Sequence, residues 1–328
     1  MNNLLSVKNL KTYFHTNNEV VKAVDGISFD MNKNEIFAIV GESGSGKSVT
    51  ALSIMSLIQL YHGKVMGGEI LFNDTNLLTL SKKEIQHIRG SEISMIYQDP
   101  MSSLNPVMSV GEQIRETLII HNKLSKNDSK QKSINLMSAV GIPEAELRYN
   151  DLPKKFSGGM RQRIMIAMAI ANNPKLLIAD EPTTALDVTI QAEIMKLLRA
   201  LKDEMEMSII LITHDLGLVA ENADRVLIMY CGEVMEQADV EGLFHKPLHP
   251  YTMGLIKCIP KVESTVDKLY SIPGSVHHPT QLPCGCKFSQ RCDKAMDICF
   301  KEKPELIEID DNHKVRCWLY GRGINHEE

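Results

Sequence analysis

The stretch 41–48 constrains this chain more than any other part of its sequence. Its residues, GESGSGKS, fit the pattern G-x-x-x-x-G-K-[ST] at every fixed position. The apolar run 35–40 precedes it, and helix-compatible sequence follows from Lys47 to about Ile58. A strand, a glycine-rich turn and a helix in this order predict a phosphate-binding loop, because backbone N–H groups and the helix start face the anion. We expect Lys47 to reach the β- and γ-phosphates and Ser48 to bind Mg²⁺. An incidental Gly/Ser-rich turn would not need the flanking strand and helix.

Length and composition exclude several classes of protein. The chain has 328 residues, which predicts two domains or one large one. With 43% hydrophobic and 23% charged residues, it is not a disordered chain, a collagen-like chain or a small disulfide scaffold. No apolar run is long enough to span a membrane, and residues 1–11 lack the layout of a secretory signal, so we expect a cytosolic location. The net charge of −5 gives no indication of nucleic-acid binding.

Short apolar runs alternate with helix-compatible segments along most of the chain. The predicted strands are 4–10, 20–29, 35–40, 68–74, 94–97, 176–180, 209–213 and 226–230. The predicted helices are 47–58, 110–122, 129–140, 160–171 and 188–206. This alternation predicts a parallel sheet covered on both faces, with a helical insertion where no strand pattern occurs between about 100 and 155. Beyond about 245 the pattern dissolves, which predicts a domain boundary between 245 and 270.

Polar side chains that suit metal and water chemistry follow the predicted strands. Asp180 and Glu181 end the run 176–180, and ligands bind at the carboxyl ends of strands in open α/β sheets. We expect Asp180 to hold Mg²⁺ through water and Glu181 to polarise the attacking water. Gln98 ends another strand and could reach Mg²⁺ or the water, and His214 could contact the γ-phosphate. Taken alone, such a glutamine is usually an ordinary polar residue without a catalytic role, and such a histidine is usually structural.

The segment 156–163, with the residues FSGGMRQR, resembles the signature motif of ABC-transporter ATPases. The order of the other motifs is that of the same family over about residues 4–245. In this resemblance 41–48 corresponds to Walker A, 176–181 to Walker B with its catalytic glutamate, and 185–187 to the D-loop. Gln98 resembles the Q-loop glutamine and His214 the switch histidine. Several motifs in one order are far more specific than any one of them.

The resemblance implies a set of site residues. The implied catalytic residues are Glu181, His214, Lys47 and Gln98. The implied Mg²⁺ ligands are Ser48, Gln98 and Asp180. Phe14 is placed to stack on adenine, with adjacent Tyr13 as the alternative. The residues implied to bind ATP are Phe14, Gly41, Glu42, Ser43, Gly44, Ser45, Gly46, Lys47, Ser48, Val49, Ser157, Gly158, Gly159 and Asp187.

The resemblance also implies a fold. It is an α/β P-loop NTPase of the ABC cassette type, with a RecA-like parallel sheet core, an N-terminal antiparallel β subdomain and an inserted helical subdomain at about 100–160. A small C-terminal extension is added to this cassette. We therefore expect an ABC ATPase domain at 1–250 and a Cys-rich extension of the oligopeptide/dipeptide transporter type at 251–328.

In this family two nucleotide domains pack head to tail, and the signature of one completes the γ-phosphate cage of the other. A chain with one cassette then needs a second copy or a paralogue. Met160 stands where the common signature has Gln, which is typical of one of the two ATPase subunits of oligopeptide/dipeptide importers and implies a heterodimer. The stretch 98–106, QDPMSSLNP, resembles the same subfamily.

The implied function is ATP hydrolysis that energises import of di- or oligopeptides at the cytoplasmic face of the membrane. The implied partners are a paralogous ATPase, two transmembrane permease subunits and an extracytoplasmic substrate-binding protein. Import of nickel or a metallophore by the same kind of machine is the alternative. A non-transport ABC ATPase acting on ribosomes or DNA is disfavoured, because no second cassette or long coiled-coil insertion is visible. A third class is a metal-binding regulatory module that senses iron or redox state through the tail.

Five of the seven cysteines lie in the last 45 residues. In a cytosolic chain such a cluster predicts metal binding or free thiols before disulfides. Cys286, Cys292, Cys299 and Cys317 follow the spacing C-x₅-C-x₆-C-x₁₇-C, which could hold an iron–sulfur cluster or zinc but is not a standard zinc ribbon. The pattern is similar to that of importer subunits described as holding a [4Fe–4S] cluster. Zinc, or four reduced and partly buried cysteines, are the open alternatives, and Cys284 has no assigned role.

Overall fold

The structure is a computed structural model that describes residues 3–15, 19–98, 103–122, 124–184, 186–259, 270–310 and 312–321. The strands are β1 (Asn3–His15), β2 (Val20–Asn32), β3 (Ile36–Val40), β4 (Gly63–Phe72), β5 (Thr75–Asn76), β6 (Ile93–Ile96), β7 (Leu176–Asp180), β8 (Ser208–Thr213), β9 (Arg225–Tyr230), β10 (Glu233–Asp239), β11 (Ile307–Asp310) and β12 (His313–Val315). The α-helices are α1 (Lys47–Ile54), α2 (Lys82–Ile88), α3 (Val110–Asn122), α4 (Lys126–Ala139), α5 (Ala145–Arg148), α6 (Gly158–Ile170), α7 (Val188–Met205), α8 (Leu216–Asn222), α9 (Val240–His245), α10 (Pro250–Lys257) and α11 (Asp297–Lys301).

The chain divides into two compact units. The first unit comprises residues 1–31, 36–78 and 213–328, and the second comprises residues 32–35 and 79–212. In the first unit an N-terminal sheet has the order β2-β1-β4-β5, and β1 runs antiparallel to β4 with Leu5 opposite Phe72. The same unit contains the order β11-β12-β10-β9-β3, in which only the β3–β9 pair is parallel among the pairs described.

The second unit is built on β6, β7 and β8, which lie side by side and parallel. Every residue of β7 and β8 is buried, as expected for strands that are covered on both faces. Between β6 and β7 the described residues are helical or irregular, with α3, α4, α5 and α6 in this stretch. The predicted helical insertion between two strands of a parallel sheet is therefore present.

The C-terminal residues share a core with the sheet of the first unit. Tyr251 of α10 packs edge-on against Tyr230 of β9, with ring centroids 4.8 Å apart. Phe288 lies 5.4 Å from the ring of Tyr230 and 5.2 Å from that of Tyr251. The three rings are buried at or below 3% exposure, so they join sequence segments far apart into one apolar cluster.

Two sequence predictions were wrong in extent. The sheet predicted as parallel is mixed, because β10, β11 and β12 add antiparallel strands after residue 230. The helix predicted to run from Lys47 to about Ile58 ends at Ile54. Ser56 then takes a left-handed backbone with φ of 50°, and the N–H of Leu57 turns back to the carbonyl oxygen of Leu52. Within the described ranges, no helix is both long and apolar enough to cross a lipid bilayer.

Candidate active site

The phosphate-binding loop follows β3 in the first unit, and its glycines are required by close backbone contacts. A Cβ atom on Gly41 would lie 2.2 Å from the carbonyl oxygen of Met229, and one on Gly46 would lie 2.4 Å from that of Ala23. Gly46 also has a φ of 102°, in the left-handed region that favours glycine. Only glycine at both positions allows the chain to make this turn directly after a buried strand.

Two buried side chains inside the loop carry polar groups that suit an anion. Lys47 begins α1 and is only 6% exposed, and its Nζ atom donates to the carbonyl oxygens of Gly41 at 2.7 Å and Glu42 at 3.1 Å. The Oγ atom of Ser45 is buried and makes no hydrogen bond within the described part of the chain. A buried hydroxyl and a buried ammonium beside a helix start fit a phosphate group. The remaining loop and first-turn residues are exposed or half-buried: Ser43, Gly44, Ser48 and Val49.

An apolar cavity of about 190 Å³ lies beside the loop in the first unit. Phe14 lines it together with Gly44, Gly46, Val49, His277 and Leu282. The hydroxyl of Tyr13 instead donates to Oδ1 of Asp25 at 2.7 Å. Burial and the hydrogen bond to Asp25 together raise the pKa of Tyr13 to about 12. This geometry favours Phe14 over Tyr13 as the aromatic ring that meets a nucleotide base.

The carboxylates and the glutamine lie in the second unit. Asp180 is the last residue of β7 and is 5% exposed. Glu181 follows with a φ of 48°, and its N–H donates to the carbonyl oxygen of Ile212 at 2.8 Å. Its Oε2 atom accepts hydrogen bonds from Nε2 of Gln98 at 2.8 Å and from Oγ1 of Thr184 at 2.9 Å. Two parallel strand ends therefore bring Gln98 and Glu181 together, and Thr184 is a partner that the sequence did not indicate.

The signature residues form the start of α6. The side chain of Ser157 caps this helix by accepting a hydrogen bond from the N–H of Met160 at 3.3 Å. Gly158 and Gly159 are the first two residues of the helix. Ser157 and Gly158 are exposed and Gly159 is half-buried, so the positive end of the helix is accessible to an anion.

The D-loop residue Asp187 lies at the start of the next helix. Its Oδ1 atom accepts a hydrogen bond from the N–H of Ile190 at 3.0 Å and so caps α7. A Cβ on Gly159 would lie 2.8 Å from Cγ2 of Ile190, and one on Gly158 would lie 3.5 Å from Leu186. The second unit therefore packs the starts of α6 and α7 against each other. His214, in the first unit, is exposed and directly follows β8.

Four of the C-terminal thiols lie close to one another. The thiols of Cys286, Cys292, Cys299 and Cys317 interact electrostatically in each of their six pairs. Burial, with a smaller contribution from the neighbouring thiols, raises the pKa of Cys286 to about 12 and that of Cys317 to about 11. No group of three or more His, Cys, Asp or Glu side chains in the described residues is arranged to hold a metal ion. Cys284 is exposed and lines a separate charged cavity of about 350 Å³.

Sequence reasoning missed the C-terminal residues that contact the phosphate-binding loop. The guanidinium of Arg291 pairs with the carboxylate of Glu42, and the hydroxyl of Tyr251 accepts a hydrogen bond from the N–H of Glu42 at 3.0 Å. Arg291 and Glu42 are 249 residues apart. No local motif or spacing in the sequence could have indicated this pairing.

Comparisons with known proteins identify both parts of the chain. The family model described as ABC transporter matches residues 24–184, and the model described as oligopeptide/dipeptide transporter, C-terminal region, matches residues 235–299. The chain is 52% identical to the oligopeptide transport ATP-binding protein AppD of Bacillus subtilis over 98% of each chain. The chain belongs to the ABC transporter family. It is also 50% identical to the dipeptide transport ATP-binding protein DppD of Lactococcus lactis, over 96% of this chain and 90% of that one.

Solved ABC cassettes have a similar fold. A dimeric post-hydrolysis state of the cassette MJ0796, bound to ADP and Pi, superposes with a TM-score of 0.65 at 27% identity, covering 72% of this chain and 99% of that one. The structure of cbiO1 from Clostridium perfringens, part of an ABC transporter complex, gives 0.64 at 28% identity over 75% and 92%. The predicted fold class is confirmed, and the chain is an ABC-type ATPase.

Proposed function

We propose that this chain is the ATP-hydrolysing subunit of an ABC importer for oligopeptides or dipeptides. The observation that carries the proposal is the extent of the similarity. Identity of about half runs through both the nucleotide-binding part and the C-terminal region of transport proteins whose names specify these substrates. Import of nickel or a metallophore is less favoured, since these relatives are named for peptides.

The residues of the phosphate-binding loop would hold the triphosphate of ATP. The buried Lys47 and the Oγ atom of Ser45 supply donors, and the apolar cavity beside Phe14 has room for the adenine ring. Glu181 would orient and polarise the attacking water, and Gln98 and Thr184 fix its carboxylate through Oε2. His214 would contact the γ-phosphate from the end of β8.

Ser48, Gln98 and Asp180 would hold Mg²⁺. Their hydroxyl, amide and carboxylate oxygens suit this hard cation, and the buried Asp180 carboxylate ends a strand beside Gln98 and Glu181. When bound, Mg²⁺ neutralises charge on the β- and γ-phosphate oxygens. Ser48, Gln98 and Asp180 would each contribute an oxygen atom to the ion.

The signature residues Ser157, Gly158 and Gly159, with Asp187, would complete the ATP site of a second ATPase subunit. Their exposure at the start of α6 supports a role in trans, since donors at a helix start stabilise charge on a phosphate. We propose that the second subunit is a paralogue, because Met160 stands where the common signature has Gln. A lone chain should then hydrolyse ATP slowly and gain activity when the paralogue is added.

The full assembly would contain two transmembrane permease subunits and an extracytoplasmic substrate-binding protein, with this chain at the cytoplasmic face of the membrane. Deletion of its gene should abolish growth on peptides as the sole source of a required amino acid. The wild-type gene should restore growth, and Glu181→Gln should not. Normal growth on peptides combined with a defect corrected only by added nickel would contradict the peptide assignment.

Hydrolysis itself is tested on the purified full chain with its partners. Glu181→Gln should bind Mg–ATP with an affinity near that of the wild type and lose steady-state ATPase activity. Glu204→Gln on the exposed face of α7 is the matched control and should leave the rate unchanged. An unchanged rate in Glu181→Gln would remove this residue from its proposed role.

We also propose that residues 251–328 form an extension distinct from the ATPase domain 1–250. In this extension we propose an iron–sulfur cluster held by Cys286, Cys292, Cys299 and Cys317. The electrostatic interactions among these four thiols support a shared site. Protein purified without oxygen should contain iron and acid-labile sulfide and show charge-transfer absorbance, which Cys299→Ser should remove. Zinc without iron, or neither metal, would contradict the cluster.

A further inference from the structure

Glu42, the second residue of the phosphate-binding loop, is held by a residue of the C-terminal region. Its Oε2 atom lies 2.6 Å from Nη1 of Arg291, and its Oε1 atom lies 3.1 Å from Nη2. This is a two-bond pairing of a planar guanidinium with a carboxylate, the strongest kind of charge-assisted hydrogen bonding in proteins. The Arg291 side chain is only 4% exposed, so water competes little for it.

The position of Arg291 is itself fixed by its neighbours. Its Nε atom donates to the carbonyl oxygen of Pro273 at 2.9 Å, and Nη1 also donates to the hydroxyl of Tyr230 at 3.3 Å. The guanidinium carbon lies 5.7 Å from the ring centroid of Tyr230 and 5.8 Å from that of Phe288. Arg291 therefore presents its two terminal nitrogens to Glu42 in one orientation.

Glu42 in turn shapes the loop. Its N–H donates to the hydroxyl of Tyr251, and its carbonyl oxygen accepts hydrogen bonds from the N–H of Ser45 at 3.2 Å and from Nζ of Lys47 at 3.1 Å. Holding the Glu42 side chain in place therefore also restrains Ser45 and Lys47, the two residues whose buried polar groups suit a phosphate.

We propose that Arg291 is a positioning residue for the phosphate-binding loop, through which the C-terminal region sets the affinity for Mg–ATP. The proposal rests on the proposed function, since it assumes that the loop binds ATP. Arg291 acts through Glu42 and does not touch the nucleotide. Loss of its guanidinium leaves the Glu42 carboxylate half-buried without this partner, and the loop loses the side-chain restraint next to Ser45 and Lys47.

The test is calorimetric titration of the full-length chain with Mg–ATP, together with steady-state ATPase kinetics of the chain with its partners. Arg291→Ala should weaken ATP binding and raise KM by about tenfold or more, while kcat at saturating ATP stays within about twofold, because binding and not the chemical step is affected. Arg291→Lys keeps the charge but makes fewer bonds, so it should recover part of the affinity.

A double-mutant cycle identifies the pairing as the cause. Glu42→Gln should weaken ATP binding to a similar extent, and Glu42→Gln combined with Arg291→Ala should be no weaker than the worse single variant. If Arg291→Ala does not fold, Glu42→Gln and Arg291→Lys still test the proposal. Additive effects, or an unchanged dissociation constant in a folded Arg291 variant, would overturn it.

Arg316 supplies the matched control. It is another buried arginine of the C-terminal region, but it donates to the carbonyl oxygens of Val234 and Pro304. Arg316→Lys should lower stability without changing the dissociation constant of the folded protein, and an equal loss of ATP affinity would overturn the specific role of Arg291. Failure of the wild-type chain itself to bind Mg–ATP would count against the proposed function and not against the Arg291–Glu42 pairing.

Discussion

The Nε2 atom of Gln98 donates a hydrogen bond to the Oε2 atom of Glu181 over 2.8 Å. The two residues follow β6 and β7, which are parallel neighbours with Ile96 opposite Ala179. Thr184 donates to the same oxygen at 2.9 Å. The orientation of this carboxylate is therefore set from two sides.

Removing either donor should slow hydrolysis without preventing ATP binding. Thr184→Val replaces the hydroxyl by a methyl group of similar size, and Gln98→Ala removes the amide. We expect each variant to lose about tenfold in kcat, a fraction of the effect of a positioned general base. Steady-state ATPase rates and ATP dissociation constants measure this. Because Gln98 is also a proposed Mg²⁺ ligand, Thr184→Val is the cleaner variant, and a full rate in it would contradict the role of the hydrogen bond.

The pairing of Gln98 with Glu181 was within reach of the sequence. Both residues follow short apolar runs, and strand ends in a parallel sheet meet at one edge, so the pattern alone placed them near each other. The glycine spacing of the loop and the caps at Ser157 and Asp187 are equally local, because each depends on residues a few positions apart.

Strand β10 could not be found in this way. Its sequence contains Glu233, Glu236 and Gln237, which predict an exposed segment, yet all three are at or below 3% exposure. Glu233 lies 2.8 Å from both Lys287 and Lys303, and Glu236 accepts hydrogen bonds from two backbone N–H groups and lies beside a histidine. The two lysines and the histidine, His313, come from distant parts of the chain, as Arg291 does for Glu42, and a pattern of hydrophobicity does not encode them.

Gly46→Ala should abolish or strongly weaken ATP binding. The new Cβ would lie 2.4 Å from the carbonyl oxygen of Ala23 at a φ of 102°, so the loop must move or strain by about 1–3 kcal/mol. Gly44→Ala is the matched control, because its φ is 78° but nothing lies within 4 Å of its Cβ. Calorimetry with Mg–ATP and chemical unfolding should both show the larger loss in Gly46→Ala. Equal losses in the two variants would mean that the positive φ, and not the contact with Ala23, causes the loss of ATP affinity and stability.

Variants of Ser157 should separate helix capping from contact with a partner's nucleotide. Ser157→Ala removes the cap of α6 and should cost about 1 kcal/mol of unfolding free energy as well as ATPase activity. Ser157→Asp keeps a capping oxygen but adds a negative charge, so stability should be retained while ATPase activity falls. Ser157→Asn keeps the cap without the charge and should lose less activity than Ser157→Asp. Equal ATPase rates in Ser157→Asp and the wild-type assembly would contradict a phosphate at this helix start.

His249 should make the stability of the first unit sensitive to acid. It is 1% exposed, and its Nδ1 atom accepts a hydrogen bond from the N–H of Tyr251, which caps α10. Burial lowers the pKa of His249 to about 4, although the charge of Glu236 opposes this shift. In the unfolded chain this histidine has a pKa of about 6.5, so the unfolded chain binds the proton first as the pH falls, and stability is lost between these two values.

The loss from this group should reach about 2 kcal/mol at about pH 5 relative to neutral pH. His249→Asn keeps an acceptor at the helix cap but does not titrate. It should be less stable than the wild type near neutral pH, because it loses the contact of the imidazole with Phe288, whose ring lies 5.8 Å away. Its unfolding free energy should fall less steeply below about pH 6.5, because all other titrating groups are shared. Urea unfolding at several pH values measures both slopes, and parallel slopes would show that His249 is not the group responsible.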